Sequence, residues 1–299
     1  MTGHLIHIGY PKTGSTFLQR WFEVHPQLAF ADGGIAGYRD VYSIVRDGAT
    51  APGPEVLYRV TSSEGLSAPL PSAGKDVVDY GGEQPPMKDA QAQVCATLAE
   101  LFPTARVLVV TRGFRSMILS SYSQYVRSGG DVALADLIAG SLQGATSGRL
   151  RARDPFDYDH VLGIYARAFG AENVIALPYE LLRDDADAFL RALEARLGLT
   201  HCAAAPDRVN TSLSPVEMYW YPRLTRAVRR LPLVRKRYLH ATFANRLRFP
   251  IAVLQRFRPG RPVTADTIPD EIVEGYRGKA ESLRGNALYG AYARDYLHE

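Results

Sequence analysis

The 299-residue sequence predicts an α/β fold, a three-layer sandwich with a central parallel sheet. Three observations predict it. Short β-rich runs alternate with helix-like patterns through the first two thirds of the chain, as parallel strands joined by crossover helices require. The clearest strand, Arg106–Val110, is apolar from Val107 onward, as a buried parallel strand should be. A glycine-bearing turn joins the first strand to the first helix. With 46% hydrophobic and 22% charged residues, a sizeable core is available and wholesale disorder is excluded.

The elements follow in order. Leu5–Ile8 is the first strand, and Gly14–His25 is a helix whose Phe17, Leu18, Trp21, Phe22 and Val24 form an apolar face, stopped before Pro26. Pro52-Gly53-Pro54 marks a turn before a strand over Val56–Val60, and a weaker strand covers Asp76–Tyr80. A helix over Pro85–Phe102 is bounded by prolines at both ends. After Arg106–Val110 comes a helix from Phe114 to Val126, broken by Gly129-Gly130, and then a loop over Ser141–Pro155. Asp157–Phe169 is helical with Gly170 as its C-cap, Asn173–Leu177 is a strand, and Leu181–Leu197 is a helix closed by Gly198. The whole chain, residues 1–299, reads as one domain, with residues 215–299 as a helical, basic extension.

Charge divides the chain. Between Met218 and Ala265 there is no Asp or Glu but twelve Lys and Arg, so the rest carries 23 basic against 31 acidic residues. Residues 218–265 therefore call for an anionic surface, such as an acidic glycan or a membrane face, or for an acidic face of their own protein. Nucleic acid is disfavoured because no recognition module accompanies the charge. Cys95 and Cys202 make neither a disulfide framework nor a metal cluster, which suits a reducing cytoplasm. No apolar run approaches the roughly 18 residues of a transmembrane helix, and no signal peptide is visible. The expected setting is cytoplasmic, with peripheral attachment to a membrane surface as the sharper variant.

Chemistry concentrates after the first strand, in Gly9-Tyr10-Pro11-Lys12-Thr13-Gly14-Ser15-Thr16. A strand, a glycine turn and a helix N-terminus carrying hydroxyls form a P-loop-like anion cradle, with free N–H groups and the positive end of the helix dipole directed at the anion. The ATPase pattern places lysine after the second glycine. Here Ser15 holds that place and Lys12 precedes Gly14, so the usual lysine and magnesium geometry is not reproduced. A magnesium-binding strand would end in Asp, whereas Arg106–Val110 runs into Thr111-Arg112, at the sheet edge where open α/β folds bind ligands. The arginine fork suits a phosphate monoester, and Ser120 lies about two helical turns further on.

Together the two segments resemble the sulfotransferase superfamily, which transfers sulfonate from 3′-phosphoadenosine 5′-phosphosulfate (PAPS). Tyr10–Leu18 is similar to its 5′-phosphosulfate loop, and Arg112–Tyr122 to its 3′-phosphate motif. Val174–Leu182 resembles a third feature whose tyrosine, here Tyr179, lies near the nucleotide. The resemblance spans about residues 4–200, and residues 1–200 are the expected nucleotide-binding core. It implies PAPS as co-substrate and no metal. Lys12 would stabilise charge on the phosphosulfate bridge, and Thr13, Gly14, Ser15 and Thr16 would hold the 5′-phosphate. Arg112 and Ser120 would hold the 3′-phosphate.

An acceptor hydroxyl also needs a general base. The family uses histidine or glutamate, and Glu64, just past the second predicted strand, falls on the ligand-bearing edge. His25, Asp79 and Glu83 are weaker candidates, and His4 and His7 read as structural. The expected acceptor is a hydroxyl-bearing small molecule, a glycan or a glycolipid. Two rival readings are a magnesium-dependent nucleotide kinase, with Asp79 as the metal ligand, and a non-catalytic nucleotide-binding protein of the same fold.

Overall fold

The computed structural model describes residues 2–30, 55–69, 86–142, 155–203, 213–229, 248–257 and 259–297. The expected turn at 52–54, the strand at 76–80, Asp79, Glu83 and the arginine-rich stretch 230–247 lie outside them. Five parallel strands form one sheet: β1 (Gly3–His7), β2 (Leu28–Phe30), β3 (Tyr58–Ser62), β4 (Arg106–Thr111) and β5 (Val174–Pro178), in the order β2-β3-β1-β4-β5.

Helices cover both faces of the sheet. Leu5, Leu108, Val110, Ile175 and Leu177 join Leu18, Trp21 and Phe22 of α1 (Ser15–Val24) in one apolar cluster. On the described residues after β5, α6 (Tyr179–Asp184) and α7 (Ala186–Leu197) add Leu182, Phe189, Leu190, Leu193 and Leu197 to the same cluster. The interleaved Ile6, Val107 and Val109 are fully buried on the opposite face, where α2 (Met87–Leu101) packs against α5 (Tyr158–Phe169) and α5 against β4 and β5. The chain leaves β1 toward the first face and β3 toward the second. Open α/β sheets bind ligands at the carboxyl ends of such strands.

Several elements differ from the sequence reading. The helix Leu134–Leu142 was not anticipated and runs into the start of the loop expected over 141–155, of which 143–154 lie outside the described residues. Val24, expected on the apolar face of α1, is exposed. The strand expected at 56–60 runs instead from Tyr58 to Ser62, because pairing with β1 sets the register and carries Thr61 and Ser62 into the sheet opposite Ile6 and His7. Histidines on β1 satisfy both hydroxyls: His4 Nε2 lies 2.9 Å from Thr61 Oγ1, and His7 Nδ1 lies 2.8 Å from Ser62 Oγ. The single helix expected over 181–197 is two, since Asp185 leaves helical geometry at φ −148° and accepts from the Ala188 N–H at 2.9 Å as the second helix's N-cap. The three-residue β2 was not anticipated, being too short to show alternation.

The chain divides into two compact units. Residues 1–113, 151–209 and 276–299 make the sheet unit. Its last stretch is tied to β4 and α6 by tyrosines: Tyr289 shares a 2.8 Å hydrogen bond with Thr111 of β4, and Tyr296 donates to Oε2 of Glu180 on α6 at 2.6 Å. The other unit comprises 114–150 and 210–275 and contains α3 (Phe114–Arg127), α4 (Leu134–Leu142), α8 (Pro215–Arg229), α9 (Arg248–Phe257) and α10 (Asp270–Glu274). Within it Arg229 Nη1 pairs with Asp131 at 2.7 Å and Arg226 donates to the Asp131 carbonyl at 2.9 Å. Arg223 lies 3.6 Å over the Tyr219 ring. These arginines of the basic segment thus find partners in their own unit. No helix among the described residues is long and apolar enough to cross a membrane.

Candidate functional site

The loop between β1 and α1 holds two residues in left-handed backbone geometry, Gly14 at φ +86° and Lys12 at φ +71°. For glycine this is free, and a Cβ on Gly14 would stand 2.5 Å from Leu182 Cδ2. For lysine it is an uncommon conformation that the surroundings must hold in place. The loop is braced from within: Thr13 Oγ1 donates to the Tyr10 carbonyl at 2.6 Å, and Ser67 Oγ donates to the Gly9 carbonyl at 3.1 Å. The Thr13 hydroxyl is therefore engaged in shaping the turn. Gly14 caps α1 with no side-chain hydrogen bond, which leaves the helix N-terminus uncapped by its own residues.

The unusual Lys12 backbone joins two candidate residues. Its carbonyl accepts from Arg112 Nη1 at 2.7 Å. Its N–H and its ammonium both favour the ionised Glu64 carboxylate, as does the Ser15 hydroxyl. Burial outweighs these three effects and raises the Glu64 pKa above the ordinary carboxylate value. Water still reaches Glu64, which is exposed at the start of a single 3-10 turn, Glu64–Leu66.

Arg112 follows directly on β4. Its guanidinium lies 4.4 Å from the centre of the Tyr179 ring, and burial lowers its pKa while Tyr179 and Glu180 act the other way. Its backbone is clamped, because Tyr158 Oη donates to the Arg112 carbonyl at 2.6 Å and accepts from the Arg112 N–H at 3.3 Å. Glu180 Oε1 accepts from the Gly113 N–H at 3.0 Å while its other oxygen takes the Tyr296 hydroxyl. Tyr158, Glu180, Tyr289 and Tyr296 are all buried. Sequence reasoning missed their supporting role. Lone tyrosines on amphipathic helices carry no sign of which backbone they will reach.

The structure brings Lys12, Gly14, Ser15, Glu64, Arg112 and Tyr179 to one edge of the sheet. Thr16 lies on the first turn of α1. Ser120 belongs to the other unit, where it is buried on α3 and its hydroxyl has no hydrogen-bond partner among the described residues. His25 is structural: Nδ1 accepts from the Gln27 N–H at 3.1 Å, and Nε2 lies 3.2 Å from the Thr200 carbonyl.

No family model matches the chain, and no curated protein sequence matches it. Among solved structures it is similar to a sulfotransferase from Alicyclobacillus acidocaldarius, with 15% identity over 71% of this chain and 87% of that one and a TM-score of 0.47. It is also similar to the mouse sulfotransferase SULT7A1, solved in complex with PAP, with 15% identity over 99% of this chain and 88% of that one and a TM-score of 0.46.

Proposed function

We propose that the chain is a PAPS-dependent sulfotransferase that acts on a hydroxyl acceptor of the carbohydrate or glycolipid class. One observation carries the reading: the strained Lys12 peptide is shared between the Glu64 carboxylate on its N–H side and the Arg112 guanidinium on its carbonyl side. A base and two cations thereby meet at an uncapped helix N-terminus, the arrangement an anionic donor and a hydroxyl acceptor need.

In this reading the loop N–H groups with Ser15 and Thr16 hold the 5′-phosphate, and Arg112, backed by the Tyr179 ring, takes the 3′-phosphate. Glu64 removes the acceptor proton as the acceptor oxygen attacks sulfur. The bond from sulfur to the bridging phosphate oxygen breaks, and its electron pair leaves with 3′-phosphoadenosine 5′-phosphate (PAP). Lys12 stabilises the charge that collects on that oxygen. Arg112 at the end of β4 stands where a magnesium-dependent kinase would carry an acidic ligand.

The test is transfer from PAPS to a panel of sugars, glycolipids and simple alcohols, read as PAP release and sulfated product. Wild type should turn over at least one acceptor class, and Glu64→Gln should lower kcat by about a hundredfold or more while PAP affinity is kept. Equal turnover by Glu64→Gln would remove the glutamate from its role.

A further inference from the structure

Beneath the phosphate loop lies a buried polar relay with an unused end. Gln19 on α1 donates through Nε2 to Ser62 Oγ at 3.2 Å, and Ser62 Oγ lies 2.8 Å from His7 Nδ1. Ser62 Oγ can give its one hydrogen to Nδ1 while accepting from Gln19, and the uncharged imidazole then carries its own hydrogen on Nε2. Burial holds the ring uncharged, lowering its pKa to about 3. His7 is 1% exposed, packs edge-on against Phe22, and its Nε2 has no hydrogen-bond partner among the described residues. Such an orphaned donor costs stability unless it serves something.

It faces the loop. A Cβ placed on Gly9 would stand 2.4 Å from His7 Nε2 and 3.2 Å from Ser15 Oγ, so both atoms open on the same spot beside the bare Gly9 α-carbon. Ser15 Oγ is likewise buried and outside hydrogen-bonding geometry with any described residue, although it is near enough to Glu64 to favour that carboxylate. Two buried polar atoms meeting at a helix N-terminus, one a donor and one a rotatable hydroxyl, form a built arrangement.

We propose that His7 is a positioning residue of the loop: its Nε2–H, aimed by Ser62 and Gln19, is taken up by the Ser15 oxygen once the Ser15 hydroxyl turns to donate outward to a phosphate or sulfonate oxygen of the bound donor nucleotide. The nucleotide part rests on the sulfotransferase reading; the anion part does not. Gly9 then has a specific task, since any side chain there would cover the Nε2–H. An uncharged imidazole suits this place because it adds a directed donor without a second buried cation beside Lys12.

Calorimetry with PAP and, separately, with inorganic pyrophosphate tests this on wild type, His7→Leu, His7→Gln and Ser62→Ala, with melting temperatures recorded. His7→Leu should bind both probes about tenfold more weakly. His7→Gln, whose amide can place a donor near the position of Nε2, should recover most of that loss. Ser62→Ala, which frees the ring's tautomer, should lose about threefold. Unchanged affinity in His7→Leu overturns the proposal, as does equal loss in the Leu and Gln variants at native melting temperature. Should His7→Leu fail to fold, unchanged binding by Ser62→Ala overturns it. Pyrophosphate binding without PAP binding by wild type would defeat the nucleotide reading and leave the His7 comparison decisive on pyrophosphate; binding of neither probe defeats both.

Discussion

Glu64 shows how opposed effects at one residue set a working acidity. Burial pushes its pKa up, while the Ser15 hydroxyl, the Lys12 charge and the Lys12 N–H pull it down, and burial prevails. A base acts only when ionised, so a raised pKa moves the acidic limb of kcat/KM above the ordinary carboxylate range, and activity rises as pH rises through it. The prediction is an acidic limb in wild type lying above 4.5, the ordinary value, and no such limb in the residual activity of Glu64→Gln. A limb at or below 4.5, or one unchanged in the Gln variant, contradicts it. The place of Glu64 at the carboxyl edge of the sheet was legible in the sequence, because it follows a strand. His7 was not: on β1 it looks like any polar residue in a buried strand, and only the register against Ser62 and the bare Gly9 give it direction.

Two turns at the sheet edge carry the site, one after β1 and one after β4. Gly14 has φ +86° and sits against Leu182 and Tyr179. Gly14→Ala should therefore cost about 1–3 kcal/mol of stability, read as a lower denaturation midpoint with an unchanged slope, and should weaken anion binding as well. A neutral outcome would show that the turn is not held as described. The turn after β4 depends on the far end of the chain, where a Cβ on Gly113 would stand 2.5 Å from Asp295 Cβ and Tyr296 donates to Glu180. Tyr296→Phe leaves one oxygen of a buried carboxylate without that donor and should cost about 1–3 kcal/mol, checked by thermal melts. No change would mean that Glu180 finds another donor. Most strands and most helices of the sheet unit were legible, because a buried parallel sheet forces apolar runs and its crossover helices force an amphipathic period. The break at Asp185 and the shifted β3 were not, since a cap and a register are decided by neighbours that local pattern does not contain.

At the scale of the whole molecule, the residues of the proposed site come from places distant in the sequence, Lys12, Glu64, Arg112 and Tyr179, and the sheet order explains their meeting. β1 lies between β3 and β4, so the segments that follow these three strands emerge side by side at one edge, and the start of α6 after β5 adds Tyr179. The basic segment has a separate logic. Its described arginines on α8 are partnered within their own unit by Asp131 and Tyr219, which favours the acidic face of the protein itself as their counterpart. The central claim is that Lys12 and Arg112 grip two phosphates of one adenosine nucleotide. Isothermal calorimetry of PAP against ADP, with and without magnesium, on wild type and Arg112→Ala tests it most directly. Wild type should bind PAP more tightly than ADP without needing magnesium, and Arg112→Ala should abolish the preference. Equal affinity for the two nucleotides, or a requirement for magnesium, would contradict the account.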